Sequence, residues 1–176
     1  MLVPCIVMAG GKGSRFGSPT KFLSKVCGES ILLRLLKQLR ETCTHILIAS
    51  SHISIAYLKN VCRDSHIDCI ELTGRDYVQD LSLALDIYRR FPVLVATADL
   101  VVRSVDVIRN FISVAIAENV NVVTGVVIRG ERFEPVGLSL FRASAGSEIW
   151  IPLPSDSVTD VDTPEDLSYA ERVCRE

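Results

Sequence analysis

Short apolar runs alternate with amphipathic segments along most of the chain. Five runs have the length and apolar content of buried strands: residues 2–8, 45–49, 68–72, 92–96 and 121–128. Between them, residues 30–41 place leucines at helical spacing on one face and charged or amide side chains on the other. Weaker patterns of this kind predict helices over residues 53–63, 77–90 and 104–119. The run at 92–96 is apolar almost throughout, which is typical of a central strand.

Beyond residue 128 the periodicity weakens to extended pieces near 136–141 and 149–153. Thr163 and Pro164 then have the chemistry of a helix cap and a first helical residue, and they predict a last helix to about residue 173. Four alternations of strand and helix predict an α/β fold, a three-layer α/β/α sandwich around a mostly parallel sheet. In such sheets ligands bind beyond the carboxyl ends of the strands, here the loops at 10–29, 73–77 and 98–104.

Composition narrows the class of protein. A chain of 176 residues with 48% apolar residues and a net charge of -2 is expected to form one globular domain. The pI of about 5.9 argues against a general nucleic-acid binder, and no apolar stretch is long enough to span a bilayer. The first residues lack the charged start of a targeting signal. The six cysteines form no metal-binding pattern, so we expect free thiols in a reducing cytoplasm.

A glycine-rich loop, AGGKGSRFGSPTK at residues 9–21, follows the first apolar run. It lacks the ending of a Walker A loop, and its third glycine comes one position late for a dinucleotide fingerprint. The glycines permit positive φ angles and expose consecutive N–H groups to an anion, while Arg15 and Lys21 add positive charge. Residues 1–40 carry seven bases and one acid. The segment therefore indicates phosphate binding more strongly than a plain turn.

Residues 6–34, IVMAGGKGSRFGSPTKFLSKVCGESILLR, resemble the signature of the nucleoside triphosphate transferase family. The resemblance implies a Rossmann-like sheet and transfer of a nucleoside monophosphate to a phosphorylated acceptor, with release of pyrophosphate. It implies that Arg15 binds the β and γ phosphates, that Lys21 reaches the α-phosphate, and that both are catalytic together with Asp99. The loop residues that it assigns to the triphosphate are Ala9, Gly10, Gly11, Gly13 and Ser14.

Two acidic segments fit the same resemblance. The family places a metal-binding carboxylate after its central strand, where Asp99 lies in VATADLVV, and the segment VDTPEDL at 161–167 also matches. Mg²⁺ prefers oxygen ligands, so Asp99 with Asp160 or Asp162 is the expected Mg²⁺ site. Helix capping explains Asp162 equally well and explains Asp166 better.

Residues 72–81, LTGRDYVQDL, resemble a segment of the archaeal GTP:adenosylcobinamide-phosphate guanylyltransferases, which are short members of this family. The resemblance implies GTP and a phosphorylated corrinoid as substrates, cobalamin biosynthesis as the setting, and nucleotide binding by Thr73, Gly74, Asp76 and Asp80. A carboxylate accepts hydrogen bonds from N1–H and N2–H₂ of guanine, so Asp80 or Asp76 is expected to read the base, and Asp80 is the preferred candidate. For Asp80 the alternative is an acid that complements the dipole of its helix.

Other functions stay open at this point. A molybdenum-cofactor guanylyltransferase or a sugar-phosphate nucleotidyltransferase would share the nucleotide-binding part, expected at residues 1–120, and differ in the acceptor-binding part, residues 121–176. A nucleotide-binding sensor is the non-enzyme alternative, although a sensor would not need Arg15, Lys21 and Asp99 together. The sequence indicates a cytoplasmic protein without nucleic-acid partners and leaves a homodimer open.

Overall fold

A seven-stranded sheet forms the centre of the computed structural model, which describes residues 1–10, 16–18 and 20–173. The strands are β1 (Val3–Ala9), β2 (Lys25–Val26), β3 (Glu29–Ser30), β4 (Cys43–Ser51), β5 (Ile67–Leu72), β6 (Val93–Thr97), β7 (Leu100–Val102), β8 (Val122–Arg129), β9 (Arg132–Phe141), β10 (Glu148–Pro152) and β11 (Val158–Asp160). The helices are α1 (Ile31–Arg40), α2 (His52–Ile55), α3 (Tyr77–Tyr88), α4 (Val105–Ala117) and α5 (Pro164–Val173).

The strand order in the sheet is β10-β8-β9-β6-β1-β4-β5. β1 pairs in parallel with β4 and β6, β4 with β5, and β8 with β10, whereas β9 runs antiparallel between β6 and β8. β6 is the fourth of the seven strands, so the predicted central position of the run at 92–96 is confirmed. The predicted α/β fold with a mostly parallel sheet is confirmed as well.

Helices cover the sheet because each buries an apolar stripe against it. α1 begins where the Ser30 hydroxyl accepts a hydrogen bond from the Leu33 N–H, and it buries five residues that include Leu32, Leu35 and Leu36. α1 and α4 pack on one face of the sheet, while α3 covers β1 and β4 on the other through Ala84 and Leu85. None of the helices in the described ranges is long and apolar enough to cross a membrane.

Three local expectations differ from the structure. The helix predicted over residues 53–63 is wrong as a continuous element, because only the short α2 and a 3-10 turn at Val61–Arg63 form there. The extended piece expected near 136–141 is longer in the structure, where it is part of β9 and forms a hairpin with β8, whereas β10 has the length expected near 149–153. The expectation of free thiols holds for buried Cys5 and Cys43 but is wrong for Cys62 and Cys69, which form a disulfide.

Gly137 allows β9 to pass close to the carboxyl end of β6. Its φ is 66°, and a Cβ built on it would overlap the Thr97 side chain. We expect Gly137→Ala to destabilise the protein by ~2 kcal/mol or more, since left-handed backbone strain and steric overlap add together. Urea unfolding followed by circular dichroism measures the effect.

Gly130 provides the matched control, because its φ is 61° but nothing lies within 4 Å of the position that a Cβ would take there. Gly130→Ala should therefore cost only the backbone strain, ~1 kcal/mol. Adding Thr97→Ala to the Gly137 variant should recover part of its loss. Equal losses for the two glycine variants would contradict the proposed overlap.

Candidate active site

Three carboxylates meet beyond the carboxyl end of β6. Asp99 lies in the turn between β6 and β7, while Asp160 ends β11 and Asp162 follows it. β11 pairs antiparallel with β7, and the Val161 N–H donates to the Asp99 carbonyl oxygen at 3.2 Å. One oxygen of each carboxylate lies within 4.8 Å of the other two. The acidic residues expected to hold a metal are therefore brought together by the fold; we call them the acid cluster.

Lys21 supplies positive charge to the acid cluster. Its ammonium lies 2.5 Å from an Asp99 oxygen and 2.6 Å from an Asp162 oxygen, with only 16% of the side chain exposed. Burial disfavours the charged ammonium, but the two carboxylates outweigh that effect and raise the pKa of Lys21. Lys21 therefore stays protonated. Its side chain is partly buried against the acid cluster and does not lie on an open loop.

Negative charge is still in excess at Asp160. Burial, followed by the charges of Asp99 and Asp162, raises the pKa of this carboxyl to about 8. Asp99 Oδ1 and Asp160 Oδ1 are buried and have no hydrogen-bond partner among the described residues. Two unpartnered carboxylate oxygens beside a third carboxylate fit the ligand preferences of a hard divalent cation such as Mg²⁺.

Asp166 has the capping role that the sequence favoured for it. One of its oxygens accepts hydrogen bonds from the backbone N–H groups of Asp162 and Thr163, at 3.1 and 2.8 Å, and from the Thr163 hydroxyl. The Thr163 hydroxyl accepts in turn from the Asp166 N–H. This reciprocal cap starts α5 and fixes the backbone that presents Asp162 to Lys21.

A cavity of about 240 Å³ lies beyond the carboxyl ends of β1, β4 and β5. We call it the nucleoside cavity, because the sequence predicts nucleotide binding by several of the residues that line it. Its lining consists of Met8, Gly10, Ala49, Ser50, Leu72, Gly74, Arg75, Asp76, Tyr77 and Asp80. Gly74 has a φ of 67°, and a Cβ on it would overlap the Ser51 side chain, so the loop after β5 packs directly against the end of β4. The position is the one at which parallel sheets bind ligands.

The two candidate base-reading carboxylates differ in their surroundings. Asp76 caps α3 by accepting a hydrogen bond from the Gln79 N–H at 2.8 Å, and it is exposed at the cavity rim. Asp80 is 5% exposed and accepts from Thr73 and Gly74 with both of its oxygens. The carboxylate of Asp80 therefore binds its own loop, and Asp76 is the more accessible acceptor.

Tyr77 joins the nucleoside cavity to the acid cluster. It lines the cavity, and burial together with the negative charges of Asp99 and Asp160 raises its pKa to about 12. Its phenol is therefore a neutral hydrogen-bond donor at physiological pH. Tyr77 is 45% exposed, so this burial is only partial.

Some of the other residues expected at the site lie within the described ranges, and the others lie outside them. Ala9 pairs with Ser50 at the ends of β1 and β4, and Gly10 lines the nucleoside cavity. Thr73 lies beside that cavity and hydrogen-bonds to Asp80. The remaining loop residues assigned to the triphosphate, Gly11, Gly13, Ser14 and Arg15, lie outside the described ranges.

Residues 5–150 match the family described as the MobA-like NTP transferase domain. The chain belongs to this family. The resemblance inferred from residues 6–34 is therefore confirmed. A curated relative, adenosylcobinamide-phosphate guanylyltransferase from Methanocaldococcus jannaschii, is 31% identical over 101 residues. That match covers 54% of this chain and 51% of the relative, so the chain spans about half the length of the relative it matches.

Solved structures share the fold of this MobA-like domain at low identity. The inositol-1-phosphate CTP transferase from T. maritima has a TM-score of 0.74 at 11% identity, over 98% of this chain and 96% of that one. HddC from Yersinia pseudotuberculosis, complexed with GMP-PN, has a TM-score of 0.73 at 14% identity, over 97% and 99% of the two chains. CTP:phosphocholine cytidylyltransferase from Streptococcus pneumoniae has a TM-score of 0.71 at 12% identity, over 98% and 99%.

Sequence reasoning did not single out two features of the site. Ser50 lines the nucleoside cavity. In the sequence it only follows the apolar run at 45–49, and nothing marks it as more than the end of a strand. The ion pair between Lys21 and Asp162 joins residues 141 positions apart, which local patterns do not report. Tyr77, by contrast, could have been identified from the sequence, because it lies in LTGRDYVQDL, a segment on which the resemblance already rested.

Replacing Asp160 should change how stability depends on pH. The pKa of this carboxyl is about 8 in the folded protein, compared with its ordinary value of 3.8, so the folded protein binds the proton more tightly. Its contribution to the free energy of unfolding is therefore lost as the pH rises from 3.8 to about 8. In metal-free buffer, Asp160→Asn should therefore be more stable than the wild type at pH 8, by a margin that shrinks towards pH 5. Thermal unfolding measures this, at about 2–4 °C per kcal/mol for a chain of this size.

Asp106→Asn removes an exposed carboxylate on α4 and serves as the control, with no comparable pH-dependent gain expected. Mg²⁺ should reduce the advantage of Asp160→Asn at pH 8, because a bound cation would compensate the wild-type charges. A constant difference between Asp160→Asn and wild type from pH 5 to pH 8 would contradict the raised pKa.

Proposed function

We propose that this MobA-like protein transfers GMP from GTP to adenosylcobinamide phosphate and releases pyrophosphate. The observation that carries the nucleotidyl-transfer chemistry is the placement of the nucleoside cavity beside the acid cluster and Lys21. The Ala98 N–H, next to Asp99, donates to the carbonyl oxygen of the cavity residue Met8 at 3.0 Å. A nucleoside in the cavity would direct its α-phosphate towards that cluster. The choice of GTP and of a corrinoid acceptor is supported by the name of the Methanocaldococcus jannaschii relative.

The reaction is an in-line displacement at the α-phosphorus. An oxygen of the acceptor's phosphate forms the new bond to phosphorus, the bond to the bridging oxygen breaks, and pyrophosphate leaves with the electron pair. A phosphate monoester has its second pKa near 6, so it is already ionised at pH 7 and needs no general base. Lys21 and Arg15 would stabilise the charge that develops on the phosphate oxygens.

The metal belongs to the same proposal. Asp99, Asp160 and Asp162 would hold a divalent cation, with Mg²⁺ the expected ion. When bound, the ion would neutralise phosphate charge as a Lewis acid. The protein's own contribution is to hold Asp99 and Asp160 at a fixed separation through the pairing of β7 with β11.

Guanine would be read at the loop after β5, by Asp76 or by the backbone groups of residues 73–75. We assign nucleotide binding to residues 1–120 and acceptor binding to residues 121–176. A cytoplasmic location is part of the proposal, since the reaction consumes a nucleoside triphosphate. The disulfide between Cys62 and Cys69 is unusual for that compartment, except in intracellular proteins of hyperthermophiles.

A different phosphorylated acceptor is the second candidate. The structural neighbours include enzymes named for inositol 1-phosphate and for phosphocholine, which indicates that this scaffold accommodates unrelated acceptors. Sugar phosphates and the molybdenum cofactor precursor therefore belong in the same test.

The proposed function predicts transfer of GMP to adenosylcobinamide phosphate in the presence of GTP and Mg²⁺. Mass spectrometry should detect the GDP-linked corrinoid, and a coupled assay should detect one pyrophosphate per product. ATP, CTP and UTP should react poorly, because their bases do not present the paired N1–H and N2–H₂ donors of guanine. Molybdopterin and hexose 1-phosphates serve as parallel acceptors.

Transfer to one of those acceptors and not to the corrinoid would replace the acceptor assignment and keep the nucleotidyl-transfer chemistry. Equal use of the four triphosphates would contradict the guanine assignment. GTP binding without transfer to any acceptor would favour a nucleotide sensor.

Lys21→Ala and Asp99→Asn should each lower turnover by about 10²–10³-fold, the usual cost of one preorganised charged group. Asp99→Asn should also weaken the response to added Mg²⁺. Initial rates at saturating GTP measure the loss. Circular dichroism verifies folding, because Lys21→Ala leaves the partly buried carboxylates of Asp99 and Asp162 without their ammonium partner.

The matched control for Lys21→Ala is Lys37→Ala, since Lys37 is 71% exposed on α1 and pairs with Glu29. It should turn over at the wild-type rate. Near-normal turnover by folded Lys21→Ala would exclude Lys21 from the catalytic machinery.

A further inference from the structure

The carboxylate of Asp80 anchors the loop that forms one wall of the nucleoside cavity. Its Oδ1 accepts from the Thr73 N–H at 3.1 Å and from the Thr73 hydroxyl at 2.7 Å, while its Oδ2 accepts from the Gly74 N–H at 2.7 Å. The Thr73 hydroxyl accepts in turn from the Arg75 N–H at 3.2 Å. One side chain thus organises three consecutive residues.

The local fold explains why Asp80 reaches this loop. Asp80 lies in the first turn of α3, where side chains tilt towards the helix N-terminus and so towards the residues that precede it. It is 5% exposed, and within residues 1–10, 16–18 and 20–173 no lysine or arginine forms an ion pair with it. Hydrogen bonds from N–H and O–H donors therefore compensate its burial.

Close packing at Gly74 also restricts the conformation of this loop. Gly74 is in the left-handed region and packs against Ser51 so closely that a side chain would overlap it. Arg75, Asp76 and Tyr77 continue from it along the cavity wall. If the hydrogen bonds to Asp80 were lost, these residues would no longer be held in position in the wall of the cavity that Gly10 also lines.

We infer that Asp80 is a positioning residue, which sets the loop at residues 73–75 for nucleotide binding and does not itself read the base. The inference rests on the proposed function, because it takes the cavity to be the nucleoside site. It assigns base discrimination to the groups that Asp80 positions, since both of its own oxygens are already engaged by the loop.

Two variants test the inference from opposite ends of the same contact. Asp80→Asn replaces an acceptor oxygen by a donor amide, and Thr73→Val removes the hydroxyl that donates to Asp80. We expect each to raise the Kd for GTP by about tenfold or more and to raise KM for GTP with little change in kcat. The two effects should be far from additive in the double variant, because they break one network.

Hydrogen exchange gives a readout that does not depend on activity. The Thr73 and Gly74 amides should exchange slowly in the nucleotide-free wild type and much faster in Asp80→Asn. Asp86→Asn, which removes an exposed carboxylate on the same helix, is the matched control and should match the wild type in exchange and in GTP affinity.

ITP distinguishes positioning from base reading, because inosine lacks the N2–H₂ group of guanine. The inference predicts that Asp80→Asn weakens GTP and ITP by similar factors. A loss confined to GTP, with Thr73→Val unaffected, would make Asp80 a base reader and overturn the inference. Unchanged GTP affinity in Asp80→Asn would also overturn it, whereas a wild type that binds no triphosphate would overturn the proposed function itself.

Discussion

The rest of the site depends on three carboxylates being held against one ammonium. Asp99 and Asp160 are fixed near each other by the pairing of β7 with β11, so their repulsion cannot be relieved by moving apart. Lys21 compensates part of the charge, and the remainder raises the pKa of Asp160. A proton or a further cation must supply what is missing. A cluster with this excess of negative charge is suited to bind a divalent cation. The same cation would also neutralise the negative charge of phosphate groups bound beside it.

Sheet topology explains why the acid cluster and the nucleoside cavity are neighbours. β1 and β6 are adjacent parallel strands, so the glycine-rich loop after β1 and the turn after β6 leave the sheet at the same edge. β4 and β5 extend that edge on the far side of β1, where α3 begins and closes the cavity. Tyr77, the first residue of α3, therefore borders both places without any long excursion of the chain.

Local signals predicted local structure well. The leucine spacing of α1, the strand runs and the Thr163 cap of α5 are properties of a few neighbouring residues, and the structure confirms them. The failures involve distant partners. The pairing of β7 with β11, the antiparallel β9 and the disulfide between Cys62 and Cys69 leave no mark on periodicity. The acidic residues of the site were predicted by resemblance, whereas the ion pairs of Lys21 with Asp99 and Asp162 required the fold.

The fold alone does not select the substrates. Structures named for CTP-dependent transfer and a complex with GMP-PN superpose on this chain over nearly its whole length at 11–14% identity. Since so little sequence is shared, the scaffold must be compatible with different bases and acceptors, and side chains on its loops must discriminate among them. In this chain the loop after β5 has no regular secondary structure of its own and contains a left-handed glycine. Its conformation is held by hydrogen bonds from Thr73 and Gly74 to the buried Asp80 carboxylate, so under the proposed function Asp80 would act on nucleotide binding through the loop.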